Sequence, residues 1–294
     1  MIDPASRTAV GRAAAHRPAR RTDLRVLGQL TGRDRLLLDL LAEHQVLTTG
    51  QLSAVAFGSV ARAQHRALTL FRLGVFDRFR LSVPAGSQPW HYTLGPVGAA
   101  VVAAARGVDP PSPAALRRRV LKLAASPRLG HLLGVNGFFI ALHADARRDR
   151  DRALERWWSE RRAAAEFDRL THPDGYGLWS QAGRRVGFFL EYDTGSEPLA
   201  RLVGKLAGYA DLATAGGPTG PVLFTLPGPR REAGLHRLLG QHPPPVEVAT
   251  TTTELLDVCG ASPADALWLP AGSPGRRRLI DLADRHPPPG GRTR

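Results

Sequence analysis

Val186-Gly187-Phe188-Phe189-Leu190-Glu191-Tyr192-Asp193-Thr194-Gly195-Ser196 is an apolar run that ends in charge. Such a density of large apolar residues predicts a strand buried within a sheet. A central strand that ends on two carboxylates calls for a chemical reason. Alternation along the strand places Glu191 and Asp193 on one face, where they could share a cation. Just upstream, Pro173-Asp174-Gly175 opens the preceding strand at 176–179, and a hairpin would bring Asp174 across the pair to Glu191. Oxygen ligands arranged in this way suit Mg²⁺ with several retained waters.

Downstream, residues 198–213 read as one helix that begins beside the strand end and carries Lys205, one of two lysines beside 38 arginines. In a chain that writes its cations as Arg, a Lys facing carboxylates points to a compact ammonium that stabilises charge or orients water. Lys122 lies in an Arg-rich stretch and carries no such signal. A plainer reading stays open, in which Asp174 and Asp193 are turn residues and Glu191 pairs with an Arg. Around this centre, strands are predicted at 153–159, 221–226 and, as an edge, 246–251. Helices are predicted at 114–125, 128–147 and 230–239, so the whole reads as a mixed sheet flanked by helices.

The N-terminal half has another pattern. Thr31 can cap a helix whose Leu36, Leu37, Leu40 and Leu41 recur at helical spacing and which ends near His44. Thr48 or Thr49 caps a second, short helix, and Gly58-Ser59 turns into a third at 60–73. That third helix directs Ala63, Ala67, Leu70 and Phe71 to a core and leaves Arg62, Gln64, His65 and Arg66 to solvent. Partly alternating stretches at 75–83 and 90–94 form a hairpin. The sum is a winged helix-turn-helix: the third helix would read base edges in the major groove, while Arg78 and Arg80 of the wing meet phosphates.

Charge agrees with this division. Residues 1–125 hold 18 Arg and Lys against 7 Asp and Glu, whereas residues 126–255 hold 16 against 15. A GC-rich genome explains Arg over Lys but not the asymmetry, so a polyanion, and double-stranded DNA in particular, is the expected partner of the N-terminal half. The organisation expected is a flexible basic arm over 1–28, a winged helix over 29–110, an α/β domain over 111–270 and a basic, Pro-rich tail over 271–294. No apolar run approaches the roughly 20 residues of a membrane span, and no secretory signal is recognised, so a cytoplasmic protein with no membrane association is expected. The single cysteine, Cys259, excludes a disulfide framework. The ten histidines lack metal-ligand spacing, and no phosphate-loop motif of Walker type occurs.

The chain resembles the replication-relaxation family of mobile-element proteins from high-GC Gram-positive bacteria, over Thr31 to about Thr251. The resemblance rests on the winged helix, the Ala125-Ser-Pro-Arg-Leu-Gly-His-Leu-Leu-Gly-Val-Asn136 segment, the Pro-Asp-Gly turn, the Phe-Leu-Glu-Tyr-Asp strand and the Lys205-Leu-Ala-Gly-Tyr209 helix. It implies DNA processing on plasmids or integrative elements, with a domain similar to the restriction-endonuclease fold of PD-(D/E)xK nucleases. Asp174 and Glu191 match the first two positions of that pattern. The third position, where Lys is expected, holds Asp193, and Lys205 would supply the missing ammonium. The acidic residue that such folds often carry on the helix before the first strand is absent, with Asn136 the nearest polar residue.

These observations give two expectations. In the first, a winged helix locates duplex DNA while Asp174, Glu191 and Asp193 hold Mg²⁺ and Lys205 stabilises charge during cleavage or nicking. In the second, a transcriptional or replication regulator carries an inactive nuclease-like domain that serves homodimerisation or binding of other plasmid replication or transfer proteins. A tyrosine-type relaxase would need a histidine-clustered metal site that the sequence lacks.

Overall fold

The computed structural model describes residues 24–81 and 88–285. The fold is mixed α and β, and the chain divides into two compact units, Met1–Asn136 and Gly137–Arg294.

The N-terminal unit opens with α1 (Leu24–Gln29), α2 (Gly32–His44), β1 (Leu47–Thr48), α3 (Thr49–Ala56) and α4 (Val60–Arg72). The strands β2 (Phe76–Phe79) and β3 (His91–Leu94) follow, then α5 (Pro96–Ala105) and α6 (Pro113–Ala124). Side-chain caps set the helix starts. Thr31 and Asp34 form a capping box on α2, Thr48 and Gln51 form another on α3, and Ser59 caps α4. Leu37, Leu41, Leu52, Ala63, Ala67, Leu70 and Phe76 are buried together as the apolar faces of these elements. The three strands pair antiparallel in the order β1-β3-β2. Most of the expected arm lies outside the described residues, and its last part forms α1. The long helix α7 (Leu129–Ala146) crosses the division between the units.

The C-terminal unit continues with β4 (Arg152–Ser159), α8 (Glu160–Glu166), β5 (Gly175–Gln181), β6 (Arg184–Tyr192), α9 (Leu199–Gly204) and α10 (Leu206–Thr214). It ends with β7 (Val222–Leu226), α11 (Pro229–Gln241), β8 (Val248–Thr252), α12 (Thr253–Cys259), β9 (Leu269–Pro270) and a 3-10 helix at Leu279–Arg285. The six strands lie in chain order. Pairing is antiparallel across β4, β5 and β6, parallel across β6, β7 and β8, and antiparallel again at β9. The strand at 248–252 is therefore interior rather than an edge, because β9 covers it.

Local chemistry explains the hairpin at the centre of this sheet. Ala182 and Gly183 both adopt positive φ, 51° and 74°, as a two-residue primed turn requires, and this sets Gln181 opposite Arg184. Further along β5, a Cβ on Gly177 would lie 2.2 Å from the Phe188 ring, so only glycine fits against that aromatic. β6 is buried on both faces. Phe188 meets Phe138 and Phe139 of α7 on one side, and Phe189 packs with Tyr176, Phe167 and Tyr209 on the other. By alternation Glu191 shares the side of Phe189, among the residues of the α8–α11 layer. The expected tail is folded up to residue 285: Arg276 pairs with buried Glu232, and Arg277 bridges to Trp268. Its last residues lie outside those described.

Candidate active site

The hairpin register brings two of the singled-out carboxylates together. Gly175 pairs with Leu190, so Asp174 stands opposite Glu191 at the next position, and the Tyr192 amide donates to Asp174 Oδ2 at 2.8 Å. Glu191 is only 2% exposed. Its Oε2 accepts from Lys205 Nζ at 2.7 Å, and its Oε1 accepts from the Tyr209 hydroxyl. Burial, together with the charge of Asp174, pushes the Glu191 carboxyl up to about 7 despite Lys205 and Tyr209, which act in the opposite direction. Burial disfavours the Lys205 ammonium, but Glu191, Asp174 and Glu197 outweigh it and raise its pKa. The Tyr209 hydroxyl titrates well above its ordinary range, because of burial first and the neighbouring Glu191 second.

Lys205 does not lie within one continuous helix as expected. It sits at the junction of α9 and α10, capping the C-terminal end of the first and the N-terminal end of the second. Its amine is also 3.7 Å from Glu197 Oε2.

Asp193 takes a different course from the one expected. Its carboxylate is held by the Arg231 guanidinium from the first turn of α11, through Nε to Oδ2 and through Nη2 to Oδ1. The Gly195 amide completes its shell at 2.9 Å. β6 ends at Tyr192, so alternation no longer dictates where the next carboxylate points, and an available guanidinium captures it. Asp174, Glu191 and Lys205 thus converge, and Asp193 is neutralised apart from them. Among the described residues no group of three His, Cys, Asp or Glu side chains is placed to hold a metal ion. The remaining pair, two facing carboxylates of which Glu191 is raised first by burial and then by the charge of Asp174, is an oxygen-only donor set of the kind that Mg²⁺ would complete with water or phosphate oxygens. Asn136 takes no part. It is buried and donates to the backbone carbonyls of His44 and Val46.

The expected DNA-contacting side chains also divide. Arg62, Gln64 and His65 are exposed on α4. Arg66, on the same helix, instead turns inward: its Nε donates to Asp34 Oδ1 at 3.0 Å, its Nη2 donates to Oδ2, and Nη2 also reaches the Gln29 carbonyl at 2.9 Å. A carboxylate that is 0% exposed demands a cation, and α4 supplies it. Arg78 stacks between Phe71 and Trp90, 4.4 and 3.9 Å from their ring centres, and Arg80 lies over Trp90 at 4.3 Å. These contacts tie the hairpin to the end of α4.

Three participants escaped the sequence reading. Tyr209 follows Lys205 by one helical turn, a spacing that could have found it. Arg231 and Glu197 carried no such signal. No helix among the described residues is long and apolar enough to cross a membrane. No curated protein and no solved structure matches the chain. A family model described as Replication-relaxation matches residues 38–222, from within α2 to the first residue of β7. That is more than half of the sequence, and this chain belongs to the replication-relaxation family.

Proposed function

We propose that this is a DNA-binding protein of plasmid or mobile-element replication and relaxation, in which the N-terminal unit is a winged helix that engages duplex DNA and the C-terminal unit cleaves a phosphodiester. The observation that carries the second half is the convergence of Asp174, Glu191 and Lys205 at the end of a buried strand, the combination that PD-(D/E)xK chemistry requires. Asp174 and Glu191 would hold Mg²⁺, which when bound would supply an activated water and neutralise phosphate charge. Lys205 has an amine that is partly accessible and fixed against Glu191, so it can follow charge that develops on a nearby phosphate oxygen. Tyr209 orients Glu191 by holding its other oxygen within the buried layer. Arg231 takes no part in cleavage and fixes the loop after β6.

The regulator reading has its own supporting observation: both Glu191 oxygens already have donors, and Asp193 is spent on Arg231. Incubation of supercoiled plasmid with the protein separates the two. Mg²⁺-dependent conversion to nicked or linear product, abolished by EDTA, is the expected result. Intact plasmid across Mg²⁺ and Mn²⁺, with duplex binding retained, would assign the C-terminal unit to dimerisation or partner binding.

A further inference from the structure

The most strongly charged helix of the N-terminal unit is one that neither half of this reading uses. α6 has the sequence Pro-Ala-Ala-Leu-Arg-Arg-Arg-Val-Leu-Lys-Leu-Ala, and Arg117, Arg118, Arg119 and Lys122 are all exposed on it. No Asp or Glu occurs anywhere from residue 110 to residue 144. The opposite stripe anchors the helix: Leu116 and Val120 are buried, and Val120 clusters with Val46, Phe79 and Leu129, with Leu81, Leu123 and Ala124 packed alongside. α6 is thereby fixed against β2. Phe79 faces it, while Arg78 and Arg80, at alternate positions, face Phe71 and Trp90 instead.

We propose that α6 is a second contact surface for the DNA phosphate backbone. The proposal rests on the reading of the N-terminal unit as a duplex-binding module and says where much of its electrostatic affinity arises. Of the arginines that the sequence assigns to DNA, Arg66 is consumed by Asp34 and the guanidinium faces of Arg78 and Arg80 are covered by aromatic rings. Among the described residues, the exposed cations of α6 have no such competitor. Successive residues advance by about 100° around a helix, so Arg117 to Arg119 sweep a wide arc, and Lys122 returns beside Arg118 and Arg119. Four like charges within about two turns repel one another, and a polyanion turns that repulsion into counterion release. Such contacts position a protein on DNA without reading sequence.

The test uses the full chain and a fluorescent duplex, with affinity measured by anisotropy between about 50 and 200 mM salt. Replacing Arg117, Arg118, Arg119 and Lys122 together by Gln should lower the slope of log affinity against log salt by about 3 to 4, which makes the loss over that salt range about a hundredfold smaller. The pair Arg118→Gln and Lys122→Gln should give about half that change and guards against misfolding of the fourfold variant. The conservative fourfold change to three Lys and one Arg should restore the slope. If the wild type binds and the Gln variants keep its slope, α6 is not a DNA surface, and an acidic protein segment becomes the better occupant. If the wild type binds no duplex even at low salt, the reading of the whole unit fails and this proposal fails with it.

Discussion

Asp34 in the N-terminal unit and Glu191 in the C-terminal unit are both buried carboxylates, 0% and 2% exposed, and each has a cation within hydrogen-bond distance. They end in opposite electrostatic states. Burial pushes Asp34 up, but the Arg66 guanidinium and the Thr31 hydroxyl and amide together outweigh it and hold the group below the usual range. Glu191 receives one ammonium and one phenol, faces a second carboxylate, Asp174, and is pushed up to about 7. A structural carboxylate is thus saturated with donors, whereas Glu191 is left short of positive charge. That shortage is what a divalent cation would relieve, and it is why one site reads as a fold-making pair and the other as a candidate for chemistry.

The sharpest way to break this contrast is to remove the second carboxylate. Asp174→Ala should abolish Mg²⁺-dependent plasmid cleavage while duplex binding, measured by anisotropy, stays within about twofold of wild type, since the proposal assigns the two functions to different units. Loss of both together would contradict the division of labour. The same substitution removes the hydrogen bond from the Tyr192 amide, which costs about 1 kcal/mol, and relieves repulsion at Glu191, so the net loss of stability is expected to be small.

Removing Asp34 should do the reverse. Asp34→Ala strands a partly buried guanidinium and also breaks the capping box of α2. A loss of about 3 kcal/mol in urea unfolding is expected, as for a broken buried pair. Unfolding within about 0.5 kcal/mol of wild type would show that the pair is dispensable. Arg66→Ala should be nearly as damaging, although an exposed arginine on an amphipathic helix would be almost neutral.

The pH dependence sharpens the comparison further. Because the folded-state pKa of Asp34 is lowered, its contribution is fully present above the ordinary aspartate range and is lost only as pH falls through the folded value, below about 4. Because that of Glu191 is raised, its contribution is present in acid and is lost as pH rises from the ordinary glutamate range to about 7. Unfolding from pH 5 to 8 should therefore show wild type losing stability relative to Glu191→Gln up to about pH 7 and then levelling. Against Asp34→Asn the difference should stay constant over the same range. Parallel curves for all three proteins would remove the electrostatic distinction.

How far the sequence revealed these sites follows from the range over which each signal acts. Strand alternation and hairpin pairing are local, so Asp174 and Glu191 could be placed from the residues around the Pro-Asp-Gly turn and the Phe-Phe-Leu run. Lys205 stood out because composition made it rare. The caps at Thr31, Thr48 and Ser59 were legible because N-cap chemistry spans three residues. Asp34 and Arg66, in contrast, lie 32 residues apart, and Asp193 and Arg231 lie 38 apart. An amphipathic pattern says which face of a helix is polar, but not whether a neighbouring helix offers that face a carboxylate. The sequence alone therefore predicts a solvent-facing Arg66 and an Asp193 that partners Glu191, whereas the fold gives each a distant counter-ion. The break between α9 and α10 was hidden for a related reason, since a single Gly204 before Lys205 lowers helix propensity without dictating an end.

The smallest expected effect concerns Arg62, which is exposed on the same helix as Arg66 and one turn before it. Its neighbours on the solvent face are Gln64 and His65, and its backbone amide, not its guanidinium, is what Ser59 caps. Arg62→Ala keeps that cap and a good helix former, so the unfolding free energy should change by less than about 0.5 kcal/mol. Duplex affinity should nevertheless fall, by about tenfold if the side chain meets a base edge and by less, with a salt slope lower by about 1, if it meets a phosphate. Competition with an unrelated duplex separates these cases, because a lost base contact narrows the preference for one sequence and a lost phosphate contact weakens all sequences alike. Unchanged affinity in both assays would move recognition off α4 and leave the basic face of α6 as the main anchor on DNA.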